Sequence, residues 1–302
     1  MSAEGLEFSV KLGMLKALIA PPKSNWFEEQ RTLEMPPPSI AENNPPPRQI
    51  EYLSPPAVVS MTDGYFELAS LDHFWVARRF EVFQKLAGPL VSSAREMVEV
   101  GCGQGLLQRQ IEDAYGRKVT GFDLNVNGLK HNLSRFSRVC CYDVYQRDAA
   151  FRGAFDLVFL WDVIEHIRDE DEFVEATMFH AAPGGRLVVN VPAGEWAFSG
   201  YDRAAGHYRR YSADSLKAIA ERNGLKILRW SYWGLPLVPT VAARKLWLMG
   251  KRDLAKAYSA GFGPPAKSVN EMLRFVSKCE VIPQKIAGTS LMAILQAEEG
   301  KG

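Results

Sequence analysis

The chain has few cysteines, and their spacing fits neither a metal site nor a disulfide framework. Its 302 residues include four cysteines, none in a C-x-x-C pair: Cys102, Cys140, Cys141 and Cys279. Zinc sites built on cysteine and disulfide-stapled secreted domains both need more regularly patterned thiols. We therefore expect free, buried thiols in a reducing cytoplasm and predict no metal site.

The chain also has no large excess of positive or negative charge and no long apolar run. The 36 basic and 35 acidic residues leave a formal net charge of +1, whereas proteins that bind nucleic acid normally carry a basic patch. No stretch approaches the roughly 20 apolar residues of a membrane-spanning helix, and the N-terminus lacks the basic-then-apolar layout of a signal peptide. We expect a soluble cytoplasmic protein with no nucleic-acid partner.

Proline is concentrated near the start of the chain. The runs Met35–Pro38 and Asn43–Pro47 lie among few large apolar residues, so burial offers little to offset the entropy of ordering this segment. We predict a proline-rich extension or linker over residues 1–55 and one domain over residues 56–302. A short helical pattern within Phe8–Ala20 leaves docking on the domain or on a second subunit open.

Helical and strand patterns alternate from residue 72 onward. The first predicted helix begins after an Asp72 cap and stops at Gly88. Seven apolar runs follow, with amphipathic helical patterns between most of them: residues 97–101, 119–123, 139–144, 157–161, 186–191, 225–233 and 290–296. This alternation is typical of a parallel sheet with helices on both faces. The sequence therefore predicts an α/β fold with a Rossmann-like, seven-stranded, mostly parallel sheet.

A long connection separates the last two predicted strands. Compact connections are usually short, so residues 234–289 are interpreted as a helical insertion with patterns near Val241–Met249 and Val269–Lys278. The stretch Trp230–Arg252 is rich in Trp, Leu and Val. Three roles stay open for it: a lid over the substrate, a helix in peripheral contact with a membrane, or ordinary core or homodimer packing.

The run Val98–Gly105 joins a short apolar strand to a helix through three glycines at alternate positions. A strand that leads through glycines into a helix brings backbone close to a nucleotide. The third glycine comes one residue earlier than in the dinucleotide pattern G-x-G-x-x-G. Glu99 lies inside the strand, and a buried carboxylate needs a cation or a strong donor. S-adenosylmethionine carries an ammonium and a sulfonium, so the run favours a methyl donor over a hydride donor.

Acidic residues follow the second and third predicted strands. Asp123 lies 22 positions after Gly101, where a nucleotide-binding sheet needs an acid for the ribose hydroxyls. A helix that begins at Asn125 leaves a capping role for Asp123 open. Asp143 and Val144 follow the third strand, at the expected position of the adenine edge, and a surface turn is the alternative for this aspartate.

Three motifs in this order resemble those of class I S-adenosylmethionine-dependent methyltransferases. They are the glycine run Glu99–Gly105, the strand end Phe122–Asp123 and the stretch Asp162–His166. The resemblance covers residues 74 to about 233 and is nearest to quinone and small-molecule O-methyltransferases. The Phe74–Trp75 pair, the loop Gly206–Tyr211 and the strand entry Gly288–Leu291 also resemble a bacterial subset associated with sugars and surface glycans.

The resemblance implies S-adenosyl-L-methionine as the cofactor and S-adenosyl-L-homocysteine as its product. The cofactor-binding residues that it implies are Glu99, Gly101, Cys102, Gly103, Gly105, Asp123, Leu124, Asp143, Val144 and Trp161. Trp161 is expected at the tip of the fourth strand, packed on the cofactor beside the substrate mouth. An arginine before the first strand often meets the methionine carboxylate in this group. Arg78 and Arg79 are both candidates, and Arg78 is taken as the first choice.

The acceptor is expected at the loop after the fifth strand, because loops at the carboxyl edge of such a sheet build substrate sites. An alcohol acceptor needs a general base, and histidine suits this role near neutral pH. His207 is the first candidate and His166 the second, with a structural role as the alternative for each. Arg210 and Tyr211 are predicted to bind substrate, and ion pairing on the surface is the alternative for the arginine.

Together these features predict a methyltransferase that uses S-adenosylmethionine. Its expected acceptor is a hydroxyl, or another nucleophile, of a small molecule, sugar or glycan. Two alternatives remain: a non-catalytic binding or scaffold protein that keeps the fold, and, less favoured, an NAD-dependent oxidoreductase. The glycine spacing and Glu99 argue against the oxidoreductase.

Overall fold

The computed structural model describes residues 49–57, 70–248 and 265–297. Within these ranges eight strands form one mixed sheet. The strands are β1 (Glu51–Tyr52), β2 (Met97–Val100), β3 (Thr120–Asp123), β4 (Val139–Cys141), β5 (Phe155–Trp161), β6 (Ala181–Pro192), β7 (Leu225–Trp233) and β8 (Ser290–Ala297). The proline runs and the Phe8–Ala20 pattern lie outside the described residues.

Eight α-helices accompany the sheet in the described ranges. They are α1 (Phe74–Ser93), α2 (Leu106–Tyr115), α3 (Val126–Lys130), α4 (Glu170–Met178), α5 (Gly200–Ala204), α6 (Ala213–Arg222), α7 (Val238–Leu248) and α8 (Lys267–Ser277). Short 3-10 turns lie between some of them, and the turn Ile164–His166 after β5 matters most for the site.

The sheet has the strand order β1-β4-β3-β2-β5-β6-β8-β7. Neighbouring strands are parallel except at β8, which runs antiparallel to both β6 and β7. The predicted α/β fold with a mostly parallel, Rossmann-like sheet is confirmed. Because β2 lies at the centre of the sheet, the loop that follows it opens beside the ends of β3 and β5, where ligands bind in such sheets.

An eighth strand extends the seven that were predicted. Glu51 and Tyr52 pair in parallel with Cys140 and Cys141 of β4, and Glu51 also forms an ion pair with Arg138. The strand lies inside the stretch interpreted as a proline-rich extension, so residues 51–52 join the sheet. A strand of two residues is too short to show an alternating pattern, which is why the sequence did not reveal it.

Helix α1 continues past the predicted stop at Gly88 and runs to Ser93 through Pro89. Its last turns bury Ala87 and Val91 against the sheet, and this burial outweighs the hydrogen bond that proline removes. Gly88 serves close packing instead, since an added Cβ atom would lie 2.7 Å from the Tyr115 hydroxyl.

Helices cover both faces of the sheet. On one face, α1 and α2 bury side chains such as Phe83 and Leu107. On the other face, α4 and α6 bury side chains such as Phe173 and Leu216. Each such side chain contributes about 1.5–3 kcal/mol on full burial. The two apolar layers hold the carboxyl ends of β2, β3 and β5 at one edge.

The insertion contains the two predicted helices, α7 and α8. Asn270 of α8 accepts a hydrogen bond from the Phe74 backbone N–H at 2.9 Å and so docks α8 on the start of α1. On α7, the Arg244 guanidinium lies 3.9 Å from the centre of the Tyr201 ring in α5. Helix α7 therefore packs beside the segment that follows β6. Among the described residues, no helix has the length and apolar character needed to span a membrane.

Candidate cofactor and acceptor site

The glycine loop begins directly after β2. The Gly101 backbone N–H donates to the Phe122 carbonyl at 2.7 Å, which ties the loop to β3. Gly101 has a φ of +78°, and an added Cβ atom would lie 2.6 Å from Val163. Gly105, with a φ of +66°, is the N-cap residue that precedes α2. Both positions need glycine, because L side chains rarely adopt a positive φ. The loop therefore presents bare backbone at the edge of the sheet.

Asp123 holds the glycine loop from the end of β3. Its carboxylate accepts the Gly103 N–H at 2.7 Å and the Asn125 N–H at 2.8 Å. Burial raises the pKa of Asp123, although these hydrogen bonds lower it. A carboxylate has about four acceptor positions, so these backbone donors leave acceptor capacity for a ligand. The helix cap itself is Asn125, which accepts from Gly128 at 3.1 Å.

Glu99 lies in the central strand β2, two residues before Gly101, and only 3% of its surface is exposed. Its Oε2 atom has no hydrogen-bond partner among the described residues. Burial raises the pKa of Glu99 to about 8, with the Arg79 charge lowering it and the Asp123 charge raising it. A buried acceptor without a donor is unfavourable. The ammonium group of a ligand at the glycine loop would remove this deficit.

The structure separates the two candidate arginines of α1. The Arg78 guanidinium contacts Glu81 and Glu280, each at 3.2 Å, and so binds the insertion. The Arg79 guanidinium forms an ion pair with Asp162 after β5. Arg79 also acts electrostatically on Glu99. It is therefore Arg79, and not the first choice Arg78, that reaches the carboxyl edge of the sheet.

Trp161 lies deeper than expected from its position at the end of β5. Its ring packs edge-on to Phe83 at 5.5 Å between centroids, and only 5% of the residue is exposed. The Arg79 guanidinium lies 5.4 Å from the ring centre. The side chain belongs to the core under α1 and does not form an open tip. Its Nε1 atom has no hydrogen-bond partner among the described residues.

The segment after β4 is held by capping contacts. Asp143 accepts the Tyr145 N–H at 3.0 Å, and its own N–H donates to the Ser54 hydroxyl at 2.9 Å. Val144 is buried. Cys102 and Leu124 pack together in a small apolar cluster between the loop and α3, and burial raises the pKa of the Cys102 thiol strongly. The adenine roles predicted for this segment stay predictions.

A second group of polar residues gathers after β5 and β6. The backbone N–H of Tyr208 donates to the Glu165 carbonyl at 2.8 Å, which joins the loop after α5 to the turn Ile164–His166. The rings of His166 and His207 meet edge-on with their centres 4.7 Å apart. The structure therefore brings the two predicted histidines together.

Asp202 of α5 lies behind His207, with Asp202 Oδ1 3.3 Å from His207 Nδ1. The same oxygen accepts from Arg210 Nε at 2.6 Å. Burial raises the pKa of Asp202, but the His207 hydrogen bond and the Arg210 charge outweigh it and lower the pKa to about 2. Burial and the neighbouring His207 lower the pKa of His166 to about 3. Asp202 is therefore ionised and orients His207.

The polar groups of Arg210 and Tyr211 form hydrogen bonds with other residues of the protein. Arg210 donates to Asp202 and to the Ala193 carbonyl, the latter at 3.2 Å, and is 5% exposed. The Tyr211 hydroxyl donates to Glu170 at 3.0 Å, and the residue is 1% exposed. Neither side chain presents a polar group to a substrate, because protein partners already occupy those groups. The ion pair of Arg210 is buried, whereas the alternative placed it on the surface.

The two polar groups are connected through Asp162, which follows β5 with a φ of +57°. Its carboxylate accepts Asn190 Nδ2 at 2.7 Å and also binds Arg79. The Asn190 Oδ1 atom accepts the Trp233 indole N–H at 3.0 Å. Because φ is positive at a non-glycine residue, the network must hold this conformation. It fixes the turn that carries Glu165 and His166.

Comparison with known proteins identifies the family. The sequence model described as "Methyltransferase domain" matches residues 71–229, which is more than half of the chain. The chain belongs to this methyltransferase domain family. The matched residues include the glycine loop, Asp123, both histidines and α5, whereas the whole insertion and β8 lie beyond them.

Relatives of this methyltransferase-domain protein include a probable S-adenosylmethionine-dependent methyltransferase of Mycolicibacterium smegmatis. It is 28% identical over 162 residues, covering 52% of this chain and 61% of the relative. A similarly named protein of Mycobacterium tuberculosis (strain ATCC 25618 / H37Rv) is 30% identical over 172 residues, covering 54% and 60%. The chain thus spans about three fifths of the length of these relatives.

Shorter and more distant likenesses also exist. A ubiquinone biosynthesis O-methyltransferase of Bordetella avium is 34% identical over 113 residues, covering 35% of this chain and 46% of the relative. The crystal structure of a SAM-dependent methyltransferase from Archaeoglobus fulgidus has a TM-score of 0.47 at 16% identity. That comparison covers 73% of this chain and 94% of the other.

Sequence reasoning missed four residues of this methyltransferase domain: Asp162, Glu165, Asn190 and Asp202. The first two lie inside a motif that was recognised, but their contacts depend on α1, β6 and the loop after α5. For Asp162, a charged residue directly after a buried apolar strand was a usable signal. Asp202 offered none, because its partners Arg210 and His207 become neighbours only when α5 folds back.

Proposed function

We propose that the protein is an enzyme that transfers a methyl group from S-adenosyl-L-methionine to a hydroxyl of a small molecule or sugar. The observation that carries the proposal is Glu99, a buried carboxylate with an unpartnered oxygen directly before the glycine loop. A hydride-transfer cofactor brings no ammonium group to this position. The names of the mycobacterial relatives support the same methyl donor.

The residues at the sheet edge fit this cofactor. Glu99 would bind the amino group, and the backbone of the glycine loop would lie against the methionine moiety. We assign the methionine carboxylate to Arg79, because its ion pair with Asp162 places the guanidinium at the end of β5, whereas Arg78 turns away to Glu81 and Glu280. Asp123 would accept the ribose hydroxyls with its remaining lone pairs. When bound, the cofactor supplies a methyl carbon activated by the sulfonium.

Other residues near the carboxyl ends of β2, β3, β4 and β5 would make further cofactor contacts. Asp143 and Val144 would lie at the adenine edge, with Cys102 and Leu124 as apolar contacts. Trp161 would contact the methionine side from the core, through the indole N–H, which has no partner in the described part of the chain. The protein's contribution is mainly positioning and the exclusion of water.

His207 is the proposed general base for a hydroxyl acceptor. Its Nδ1 atom faces Asp202, so the Nε2 atom takes the proton from the acceptor oxygen. The ionised Asp202 then stabilises the imidazolium, as a carboxylate does behind a catalytic histidine. His166, with its pKa of about 3, is too weak a base for this role. Arg210 supports the site by fixing Asp202 and not by binding substrate.

The acceptor class and the location of the protein are further parts of the proposal. Helix α7 packs on α5 through Arg244 and Tyr201, which favours the lid among the three roles considered for this region. All four cysteines are free, which supports a reducing, cytoplasmic location; three are buried as expected, whereas Cys279 is exposed. A small molecule or sugar under the lid is the acceptor class that we propose. Homodimer formation and peripheral membrane contact remain predictions from the sequence.

Calorimetry with S-adenosylhomocysteine and NADH tests the proposed cofactor. We expect S-adenosylhomocysteine to bind and NADH not to bind. Arg79→Gln should weaken that binding at least tenfold, because a charge-assisted hydrogen bond contributes about 1.5–3 kcal/mol. Arg78→Gln is the matched control and should leave the affinity unchanged. NADH binding without S-adenosylhomocysteine binding would contradict the proposal, and transfer of labelled methyl into cell extract separates an enzyme from a scaffold.

A further inference from the structure

Glu165 is the most unusual side chain of the acceptor region. It is fully buried, and neither of its carboxylate oxygens has a hydrogen-bond partner among the described residues. Buried carboxylates are normally paired or bound to a cation. The charges of Arg210 and Arg79 favour the ionised form of this acid, but no donor among the described residues completes a hydrogen bond to it. This deficit points to a ligand.

Two imidazoles lie beside this carboxylate. One ligand atom from each of Glu165, His166 and His207 lies within 4.8 Å of the other two. The residues come from separate elements, since Glu165 and His166 follow β5 and His207 follows α5. Three donor side chains therefore converge on one small volume.

Both histidines are oriented in the way that metal-binding histidines are. Asp202 lies 3.3 Å from Nδ1 of His207 and leaves Nε2 as the donor atom. His166 forms a hydrogen bond with the backbone carbonyl of Gly206, which fixes the nitrogen that carries the proton and directs the lone pair of the other. Histidine ligands usually donate their second ring N–H to a carboxylate or a backbone carbonyl.

The surrounding charges leave Glu165 uncompensated. Arg79 and Arg210 both act electrostatically on it, but each arginine already has an aspartate of its own. Arg79 pairs with Asp162, and Arg210 pairs with Asp202. The charges of these two ion pairs largely cancel. The Glu165 carboxylate is thus the group that a cation would neutralise.

We propose that Glu165, His166 and His207 bind a divalent transition-metal ion such as Zn²⁺ or Co²⁺. Two imidazoles and one carboxylate suit such ions, whereas Mg²⁺ prefers oxygen ligands alone. At bond lengths near 2.1 Å, tetrahedral ligand atoms lie about 3.4 Å apart. Small side-chain rotations bring the three donors to that spacing, and a fourth position stays open for an exogenous ligand. The sequence predicted no metal site, because that prediction considered cysteine spacing.

The ion and the proton compete for Nε2 of His207. With the ion bound, His207 would be a ligand and not the base; the ion would lower the pKa of a coordinated acceptor hydroxyl, and the hydroxyl proton would pass to solvent water before the oxygen takes the methyl group. This consequence rests on the proposed methyl transfer to a hydroxyl. The binding of the ion does not, so it can be measured without any acceptor.

Titration of the full-length protein with Co²⁺, after treatment with a chelator, tests the site. We expect one ion per chain, with visible absorption bands typical of a four- or five-coordinate Co²⁺ ion with nitrogen ligands. Glu165→Gln and His207→Ala should each weaken binding at least tenfold and alter the bands. Zn²⁺ should displace Co²⁺, and Mg²⁺ should not.

The controls separate this proposal from misfolding and from the proposed function. His131→Ala removes an exposed histidine far along the chain from the site and should leave Co²⁺ binding unchanged. Binding of S-adenosylhomocysteine by each variant reports that the domain is folded and that the cofactor site is intact. The absence of saturable Co²⁺ binding, or binding that survives both substitutions, would overturn the metal site and leave the cofactor assignment standing.

Discussion

The two halves of the site differ in how their residues are brought together. The cofactor half (Glu99, the glycine loop, Asp123 and residues 143–144) comes from consecutive elements of one short stretch of chain. The acceptor half (the turn Ile164–His166 and residues 202–211) forms only when α5 and its loop return to the end of β5. Local sequence motifs therefore describe the first half well and the second half poorly.

The halves also differ in what satisfies their acids. In the cofactor half, backbone N–H groups hold Asp123. In the acceptor half, side chains supply most of the donors to Asp202: Arg210 and His207 meet one carboxylate oxygen, and the Ser199 hydroxyl meets the other beside the Ser199 backbone N–H. Backbone geometry should therefore control the first half and side-chain charge the second. Substitutions that change only one of these properties test the distinction.

The largest effect is expected from Gly101→Ala in the cofactor half. The new Cβ atom would lie 2.6 Å from Val163 at a φ of +78°, so the loop must move. We expect binding of S-adenosylhomocysteine to weaken at least 100-fold, as measured by calorimetry.

Gly116→Ala is the matched control for this substitution. Gly116 also has a positive φ, of +63°, but no atom lies within 4 Å of its added Cβ. It should lower the free energy of unfolding by about 1 kcal/mol through backbone strain alone and leave cofactor affinity unchanged. Equal losses of affinity in both variants would show that close approach in the loop is not what matters.

In the acceptor half, Asp202→Asn should lower the rate of labelled-methyl transfer about 100-fold at saturating cofactor. The neutral amide no longer stabilises a charged His207, and general-base catalysis is worth about 10²–10⁴-fold. It also leaves Arg210 buried without its counter-ion, a change that destabilises proteins by about 3–5 kcal/mol. Thermal unfolding measures the second effect.

Two observations keep the catalytic effect of Asp202→Asn apart from a loss of folding. The Michaelis constant for S-adenosylmethionine should stay near that of the parent protein, because the cofactor half is built independently. Asp214→Asn replaces an exposed aspartate and should change neither rate nor stability. A raised Michaelis constant with an unchanged rate would refute the positioning role of Asp202.

The cofactor half could be predicted from the sequence better than the acceptor half. The fold and the family were predictable because short apolar strands, glycine spacing and the strand-end Asp123 are local patterns. The choice between Arg78 and Arg79 could not be made from the sequence. Both side chains are buried, and consecutive residues of a helix point in directions about 100° apart. Which of the two meets Asp162 depends on the packing of α1 over β5.

The acceptor residues show a second limit. Arg210 and Tyr211 were expected to bind substrate because their loop follows the fifth predicted strand, at the carboxyl edge of the sheet. Their partners Asp202 and Glu170 lie 8 and 41 residues away, and no periodicity links such positions. Polar residues in a loop can thus be part of the scaffold, and only the folded contacts distinguish the two roles.

The smallest expected effect is the pH dependence of cofactor affinity, which probes Glu99. In the free protein burial raises the pKa of this acid to about 8, so the group is largely protonated at pH 6–7. The cofactor's ammonium favours the ionised form, and binding below pH 8 therefore releases a proton. Affinity should rise by up to about tenfold per pH unit from pH 6 and level off near pH 8.

Calorimetry in buffers with different heats of ionisation counts the released proton directly. Above pH 8 the affinity should fall again, since an α-amino group loses its own proton at about 7.7–8.0. Glu99→Gln carries no ionisable group at this position, so the rise between pH 6 and pH 8 should disappear while other backbone contacts persist. A rise of equal slope in Glu99→Gln would assign the proton to another acid. The buried carboxyl would then be structural, and the strongest argument for an ammonium-bearing cofactor would be lost.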